Sequence, residues 1–333
     1  MEAAVVNPPP AAQNTLRVVS RTDVADSIAV LTLEDPEGRP LPAWEPGAHV
    51  DLVLDPGVGA PQIVRQYSLC GDPADRHRWR VAVLRVPDGR GGSELIHRQL
   101  RPGSTVATRT PRNAFPLRPA AEYLFLAGGI GITPILPMVA AAERAGTPWR
   151  FVYLGRSRSH MALIDEAERY GPERVTVHAD DTDGIFDVTT LLDGCNPGTA
   201  VYSCGPGGLL SFLERQHTAD AAWSLHLERF TPAAPPTGQQ TDDAPDEEFE
   251  AELASTGAVL RVSPGCSLLD ALLEAGADVD WSCREGNCGA CETGVVSGTP
   301  DHRDSVLTPE ERAAGASLMP CVSRAAGRIV LDL

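Results

Sequence analysis

Short apolar runs punctuated by Pro, Gly and Asp fill the first third of the chain: Ala29–Leu33, His49–Leu54, Arg65–Leu69, Trp79–Leu84 and Ser104–Thr108. Runs of this length and spacing, with one brief helical stretch among them, predict a small antiparallel β-barrel. From about residue 120 the rhythm changes. Apolar strands at Tyr123–Ala127, Trp149–Leu154, Arg174–His178 and Ala200–Cys204 alternate with helical segments, the pattern of a parallel α/β sheet. Thr231–Glu248 (TPAAPPTGQQTDDAPDEE) then loses apolar periodicity and reads as a semi-rigid, solvated connector. The expected organisation is a barrel at 1–117, an α/β domain at 118–230, a linker at 231–246 and a cysteine-rich domain at 247–333, with no internal repeat.

At 333 residues and 42% apolar content, the chain can give each segment its own core. It contains no run of about 18 apolar residues, and its opening MEAAVVNPPPAAQNTL lacks both regions of a signal peptide. The expectation is a cytoplasmic protein without a membrane span. Eight cysteines in a reducing compartment are poorly explained by disulfides, and a tight cluster of them suggests metal. A formal net charge of −17 argues against nucleic acid as a partner and is compatible with a basic protein partner. Residues 247–333 alone carry −9, from 15 acids against 6 arginines. All 28 basic residues are arginine, which excludes lysine Schiff bases and lysine nucleophiles.

Three sets of residues carry chemistry. YLFLAGGIGITP runs from a strand through Gly128, Gly129 and Gly131 to Thr133 and into a helix, so backbone amides can approach a nucleotide phosphate. A plain tight turn is the alternative, because this is not the G-x-G-x-x-G fingerprint. Cys204-Gly205-Pro206 repeats the order of strand, glycine turn and helix, and two such turns at strand ends of one sheet suit ligand binding. In the barrel, RQYS (Arg65–Ser68) and DGRGGSELI (Asp88–Ile96) together suggest an anion site. Ser93 is expected to cap a short helix, with Gly92 letting the chain approach and Arg65 completing the charge. Tyr67 suits an aromatic ring system; a surface arginine and an ordinary capped helix are the alternative.

The third set is Cys283-x4-Cys288-x2-Cys291 followed by Cys321, the plant-type spacing for a 2Fe-2S cluster. Gly286, Gly289 and Ala290 are small enough to fold over the sulfides. Zinc also takes four cysteines but usually through two C-x2-C pairs, and this loop has one. Cys70, Cys195 and Cys266 read as buried small hydrophobes.

In this order, RQYS, GRGGS, PRNAFPL, GGIGITP, CGP and the four-cysteine tail resemble the phthalate dioxygenase reductase family, close to the vanillate O-demethylase reductases, over essentially the whole chain. The resemblance implies a multidomain protein: an antiparallel β-barrel flavin domain, an α/β parallel-sheet NAD-binding domain and a β-grasp (α+β) 2Fe-2S ferredoxin domain. It implies FMN as the flavin and NADH as the reductant. It places Arg65, Gln66, Tyr67, Ser68, Gly92, Ser93 and Thr133 at the flavin and Phe230 near the isoalloxazine ring. The nicotinamide site would draw on Gly128, Gly129, Gly131, Cys204, Gly205 and Pro206. One departure leaves NADPH open: Gly155-Arg156-Ser157-Arg158 lacks an acidic residue to read a ribose 2′-hydroxyl, and two arginines suit a 2′-phosphate.

Nicotinamide gives up two electrons as hydride and a 2Fe-2S cluster accepts one, so a flavin between them is required chemistry. Ser68, Cys204 and Glu228 are the candidates for shaping the hydride-transfer site. The expected function is an NAD(P)H-dependent reductase feeding a terminal oxygenase component, a Rieske-type ring hydroxylase or O-demethylase, whose basic patch would meet the acidic tail. The rivals are a free-standing flavin or ferric reductase and, from another class, a zinc-bound interaction protein.

Overall fold

The computed structural model describes residues 14–57, 62–87, 89, 91–218, 220–230, 246–286 and 288–333. The connector expected at 231–246 therefore lies outside the described residues, apart from Asp246. The chain divides into two compact units, Ala12–Arg229 and one that contains Phe230–Leu333.

In the first unit, β1 (Asn14–Ala25), β2 (Ile28–Glu34), β3 (His49–Leu54), β4 (Ile63–Ser68), β5 (Arg78–Leu84) and β6 (Thr105–Thr108) form an antiparallel sheet in the order β4-β3-β6-β1-β2-β5. Leu69, just past β4, bridges to Val81 of β5, which closes the sheet around Leu16, Leu31, Val50, Leu52 and Trp79. The long β1 was not among the expected strands. Its inward residues Leu16 and Val18 are followed by the polar stretch Ser20-Arg21-Thr22-Asp23, of which Ser20, Thr22 and Asp23 are exposed, so no apolar run marks it. A short helix, α1 (Gly92–Gln99), follows β5 and buries Leu95 and Ile96.

Five parallel strands follow: β7 (Glu122–Gly128), β8 (Trp149–Gly155), β9 (Val175–Ala179), β10 (Thr199–Cys204) and β11 (Ser224–Glu228), in the order β11-β10-β7-β8-β9. They alternate with α2 (Ile132–Ala145), α3 (Ile164–Glu168), α4 (Asp180–Asp183), α5 (Val188–Asp193) and α6 (Gly207–Gln216). Strand order reverses between β7 and β10. That is the switch point at which α/β sheets open a ligand crevice.

Barrel and sheet share one core, in which Ile28, Val30 and Phe115 pack with Ile132, Ile135 and Met138. Polar ties reinforce it. The Tyr202 hydroxyl donates to the Pro116 carbonyl at 3.1 Å and accepts the Arg118 amide at 2.8 Å, pinning the crossing between them. Arg80 of β5 pairs with Glu166 of α3 at 2.5 Å.

The second unit is a mixed sheet of β12 (Phe249–Leu253), β13 (Val259–Val262), β14 (Thr293–Asp301), β15 (Ser317–Leu318) and β16 (Arg324–Leu331) in the order β13-β12-β16-β14-β15. Strands β12 and β16 run parallel; the other pairs are antiparallel. Helix α7 (Leu268–Glu274) lays Leu268, Leu269 and Leu272 into its core, each worth about 1.5–3 kcal/mol of burial. Its start is fixed by Ser267, whose hydroxyl accepts the Asp270 amide. Helix α8 (Pro309–Ala314) opens on a Thr308–Glu311 capping box. A helix grasped by a mixed sheet is the β-grasp arrangement expected for this stretch.

Candidate functional site

Strand alternation sends Arg65 and Tyr67 to one face of β4 and Gln66 to the other. Gln66 lies opposite Asp51 of β3 and its amide donates to Asp51 Oδ1 at 3.4 Å. Asp51 is 1% exposed and also receives Arg112 at 2.9 and 3.0 Å and Arg109 at 3.3 Å. A buried carboxylate therefore ties the RQYS strand to the PRNAFPL segment. Sequence reading missed this anchor, although Asp51 inside the apolar run HVDLVL was a visible anomaly.

The Arg65 side chain runs against the start of α1. A Cβ on Gly92 would sit 2.7 Å from its Cγ and Nε, so a larger residue there would have to displace the Arg65 side chain. Tyr67 packs against the barrel core, and burial pushes its phenol far above the usual value. Ser68 ends β4, buried.

The expected capping role of Ser93 is corrected. The cap is Gly91, in the left-handed region at φ 74 that glycine tolerates best, and it makes no side-chain cap bond. Ser93 sits one residue inside the helix, where its hydroxyl accepts the Val86 amide at 3.0 Å. The amides of Gly92 and Ser93 remain at the helix N-terminus beside Arg65, a ready anion site. Asp88 and Arg90 of the same motif lie outside the described residues.

At the switch point, the two glycine turns interlock. β7 leads through Gly129–Gly131 into α2, and β10 leads through Gly205 and Pro206 into α6. A Cβ on Gly131 would lie 2.1 Å from the Cys204 carbonyl oxygen, and one on Gly128 2.5 Å from Pro206 Cδ. Gly129 takes φ 54. Thr133 is buried and spends its hydroxyl on the Ile130 carbonyl at 3.0 Å, stiffening the turn.

Cys204 is fully buried and pairs in register with Glu228 of the neighbouring β11. Burial, then the Glu228 charge, holds the Cys204 thiol well above its usual range. Burial also lifts the Glu228 carboxyl to about 8; its Oε2 is closed to solvent and without a partner among the described residues. Because the folded-state value exceeds the usual 4.5, the fold favours the neutral acid. Stability from this group is complete below about pH 4.5 and is lost as pH rises through 8. We expect unfolding free energy to fall by on the order of 5 kcal/mol over that window, and Glu228→Gln to flatten the profile in denaturant titrations.

Arg156 and Arg158 follow β8, and both are exposed. Arg158 is held by Glu168 of α3 at 2.7 Å, a neighbour that sequence spacing did not reveal. Phe230 is 40% exposed and is the last described residue before the connector.

In the second unit Cys283, Cys288, Cys291 and Cys321 are all buried and free of disulfides. Their thiols meet in pairs, Cys283 with Cys288 and Cys291 with Cys321, while Cys321 also reaches Cys283. The hydrogen bond with Cys283 raises Cys288, those with Cys283 and Cys291 raise Cys321, and the hydrogen bond from Cys321 lowers Cys291. Among the described residues, no three His, Cys, Asp or Glu side chains converge as a single-ion site. Two thiolates per iron is the demand of a two-iron cluster, and the pairing fits it. The Glu285 amide points at Cys283 Sγ, 3.3 Å away. Arg284 and Gly286 take φ 58 and 67, and a Cβ on Gly286 would meet Val322 Cγ2 at 2.5 Å. The loop is coiled as tightly as a cradle for sulfide requires. Of the other cysteines, Cys70 is buried, but Cys195 and Cys266 are only partly so, short of the full burial expected.

Among the described residues no helix is long and apolar enough to cross a membrane. Comparison with known proteins matches residues 251–326 to the 2Fe-2S iron-sulfur cluster binding domain. The chain is 37% identical over 321 residues to the phenoxybenzoate dioxygenase subunit beta of Ectopseudomonas oleovorans, covering 96% of this chain and 97% of that one. Among solved structures it resembles an intact type IV self-sufficient cytochrome P450 monooxygenase, at 42% identity and a TM-score of 0.83, over 96% of this chain. It spans only 41% of that longer protein. Phthalate dioxygenase reductase, described as a modular structure for electron transfer from pyridine nucleotides to [2Fe-2S], matches at 34% identity and a TM-score of 0.67 over 96% of this chain and 97% of its own. With its barrel, parallel sheet and cysteine-bearing β-grasp in the same order, this chain belongs to the phthalate dioxygenase reductase family, the flavin and iron-sulfur reductase components of oxygenase systems.

Proposed function

We propose that this cytoplasmic chain takes hydride from NADH onto FMN and delivers single electrons through a 2Fe-2S cluster to a terminal oxygenase component. The observation that carries the reading is the four-thiol loop joined in one chain to a nucleotide sheet with interlocked glycine turns. Bound flavin supplies the exchange between two-electron and one-electron chemistry. The chain's own residues bind, orient and exclude water. Arg65 and the α1 amides would hold the flavin phosphate, with Gly92 and Ser93 at the contact; Tyr67 would lie along the ring, Gln66 is held by Asp51, and Phe230 remains the ring-side candidate that the family resemblance names. Gly128, Gly129, Gly131, Gly205 and Pro206 form the floor for the nicotinamide nucleotide. Ser68, Cys204 and neutral Glu228 line the hydride path, the last two offering uncharged groups to a nicotinamide whose charge changes on reaction. Thr133 acts by bracing its turn. Of the arginines past β8, Arg158 is already paired with Glu168, which supports NADH over NADPH as the reductant.

The test is direct. Purified protein should absorb as a flavin with an iron-sulfur centre, release FMN on acid extraction, contain about two irons per chain, and be bleached faster by NADH than by NADPH. FAD in the extract, zinc in place of iron, or faster bleaching by NADPH would each remove its part of the reading. The relatives' names point to a dioxygenase partner. The cytochrome P450 likeness favours a second acceptor class, and reconstitution with each, read as product formed per NADH, separates them.

Arg65→Ala should lose flavin without losing the fold. Charge-assisted hydrogen bonds are worth about 1.5–3 kcal/mol each, so flavin affinity should fall by roughly 10- to 100-fold. Excess flavin should restore NADH oxidation. Tight flavin retention through dialysis would show Arg65 to be a surface residue.

A further inference from the structure

Cys321 is separated from the three-cysteine loop by a long stretch of chain, yet its thiol lies against Cys283 and Cys291. The segment 303–307 crosses between the two loops. On one side the Ser305 amide and hydroxyl both donate to the Gly286 carbonyl, at 2.8 and 3.3 Å. On the other, the Arg303 amide donates to Ser323 Oγ at 3.2 Å, two residues past Cys321. Asp304 stands between these ties with its side chain fully buried. Its Oδ2 accepts the amides of Val306 and Leu307 at 3.0 and 2.9 Å, and its Oδ1 accepts Ser323 Oγ at 3.5 Å. Arg312 of α8 lies 3.7 Å from Oδ2 and donates to the Asp304 carbonyl. A Cβ on Gly286 would come within 3.0 Å of Asp304 Cα, so the strap rests directly on the cluster loop.

A buried carboxylate is retained at a cost that several donors offset, and here two of those donors are amides that shape the strap. We infer that Asp304 is a positioning residue for the cluster, holding the Cys321 loop in register with the Cys283–Cys291 loop and placing one negative charge behind it. The inference rests on the four-thiol loop binding a 2Fe-2S cluster. Geometry and charge make separate contributions. Geometry decides whether the fourth thiolate stays in reach of iron; charge decides how readily the cluster accepts an electron, since an added electron is disfavoured beside a carboxylate.

Two substitutions in the full-length protein separate them. Asp304→Asn keeps an oxygen for the amides of Val306 and Leu307 and a donor for Ser323. It should retain parental iron while its cluster midpoint potential moves positive. Asp304→Ala loses the strap; iron per chain should fall, and bleaching of the cluster by a chelator should quicken by about tenfold. Ser323→Ala, which cuts only the tie beside Cys321, should quicken bleaching less than Asp304→Ala. Flavin content should be parental in all three. Parental iron and bleaching rate in Asp304→Ala would overturn the positioning role, and a parental potential in Asp304→Asn would overturn the charge role. An iron-free parent protein would instead sink the cluster reading itself, a result distinguishable from both.

Discussion

Removing residues 231–333 leaves a protein that still oxidises NADH but no longer feeds a one-electron acceptor of protein size. Unit Ala12–Arg229 contains its own barrel and sheet cores and the shared core between them, so the truncated chain should fold and bind flavin. Ferricyanide, small enough to reach the flavin edge, should be reduced at near-parental rate. Reduction of cytochrome c or of the oxygenase partner should fall by roughly a hundredfold, because the single-electron outlet has gone. Cys288→Ser should act in the same direction less severely, by damaging the cluster and loosening the domain around it. Partner reduction at the parental rate by the truncated protein would take the four cysteines off the electron path.

The second large effect is expected at Gly131. Its Cα faces the backbone of β10, and an added Cβ would lie 2.1 Å from the Cys204 carbonyl oxygen, 2.4 Å from its carbon and 2.8 Å from the Gly205 nitrogen. All three obstacles are main-chain atoms at the end of β10 and the turn after it, so no side-chain rotation relieves the clash. Gly131→Ala must part the two turns by about an ångström, a displacement that can cost about a hundredfold in rate where reacting atoms are held in contact. Stopped-flow reduction of bound flavin by NADH should show that loss, with thermal stability also reduced. Gly208→Ala supplies the control, since nothing lies within 4 Å of a Cβ there. Equal flavin reduction in the two variants would show that the interlock does not shape the nicotinamide site.

Elements buried on both faces were the most legible in sequence. β3 is buried at all six positions and β10 likewise, and both appear as mainly apolar runs. β1 and β11 were hidden for the opposite reason: one carries Arg17, Ser20, Arg21 and Asp23, and the other has no fully buried residue among SLHLE. The cysteine spacing was sufficient to name the cluster type because the ligands are local apart from Cys321. Long-range polar partners were not visible. Asp51 meets Arg109 and Arg112 across about sixty residues, and Asp304 meets Ser323 across 19, past α8 and β15; neither spacing has a sequence signature. Ser93 misled for a local reason: a serine before an apolar helix usually caps it, but Gly91 reached the left-handed conformation first.

The strand order of the second unit bears on how the protein is made. β16 is the last of its strands to leave the ribosome, yet it occupies the middle of the sheet, parallel to β12 and antiparallel to β14. Until it emerges, β12 and β14 have no common neighbour, and Cys321, which just precedes it, is not in place. The reductase unit is under no such restriction, since domains fold in order of synthesis. Nascent chains should therefore be competent for flavin before the sheet that follows Cys321 is complete. When cells run short of iron, the product should accumulate as yellow, flavin-loaded protein awaiting its metal.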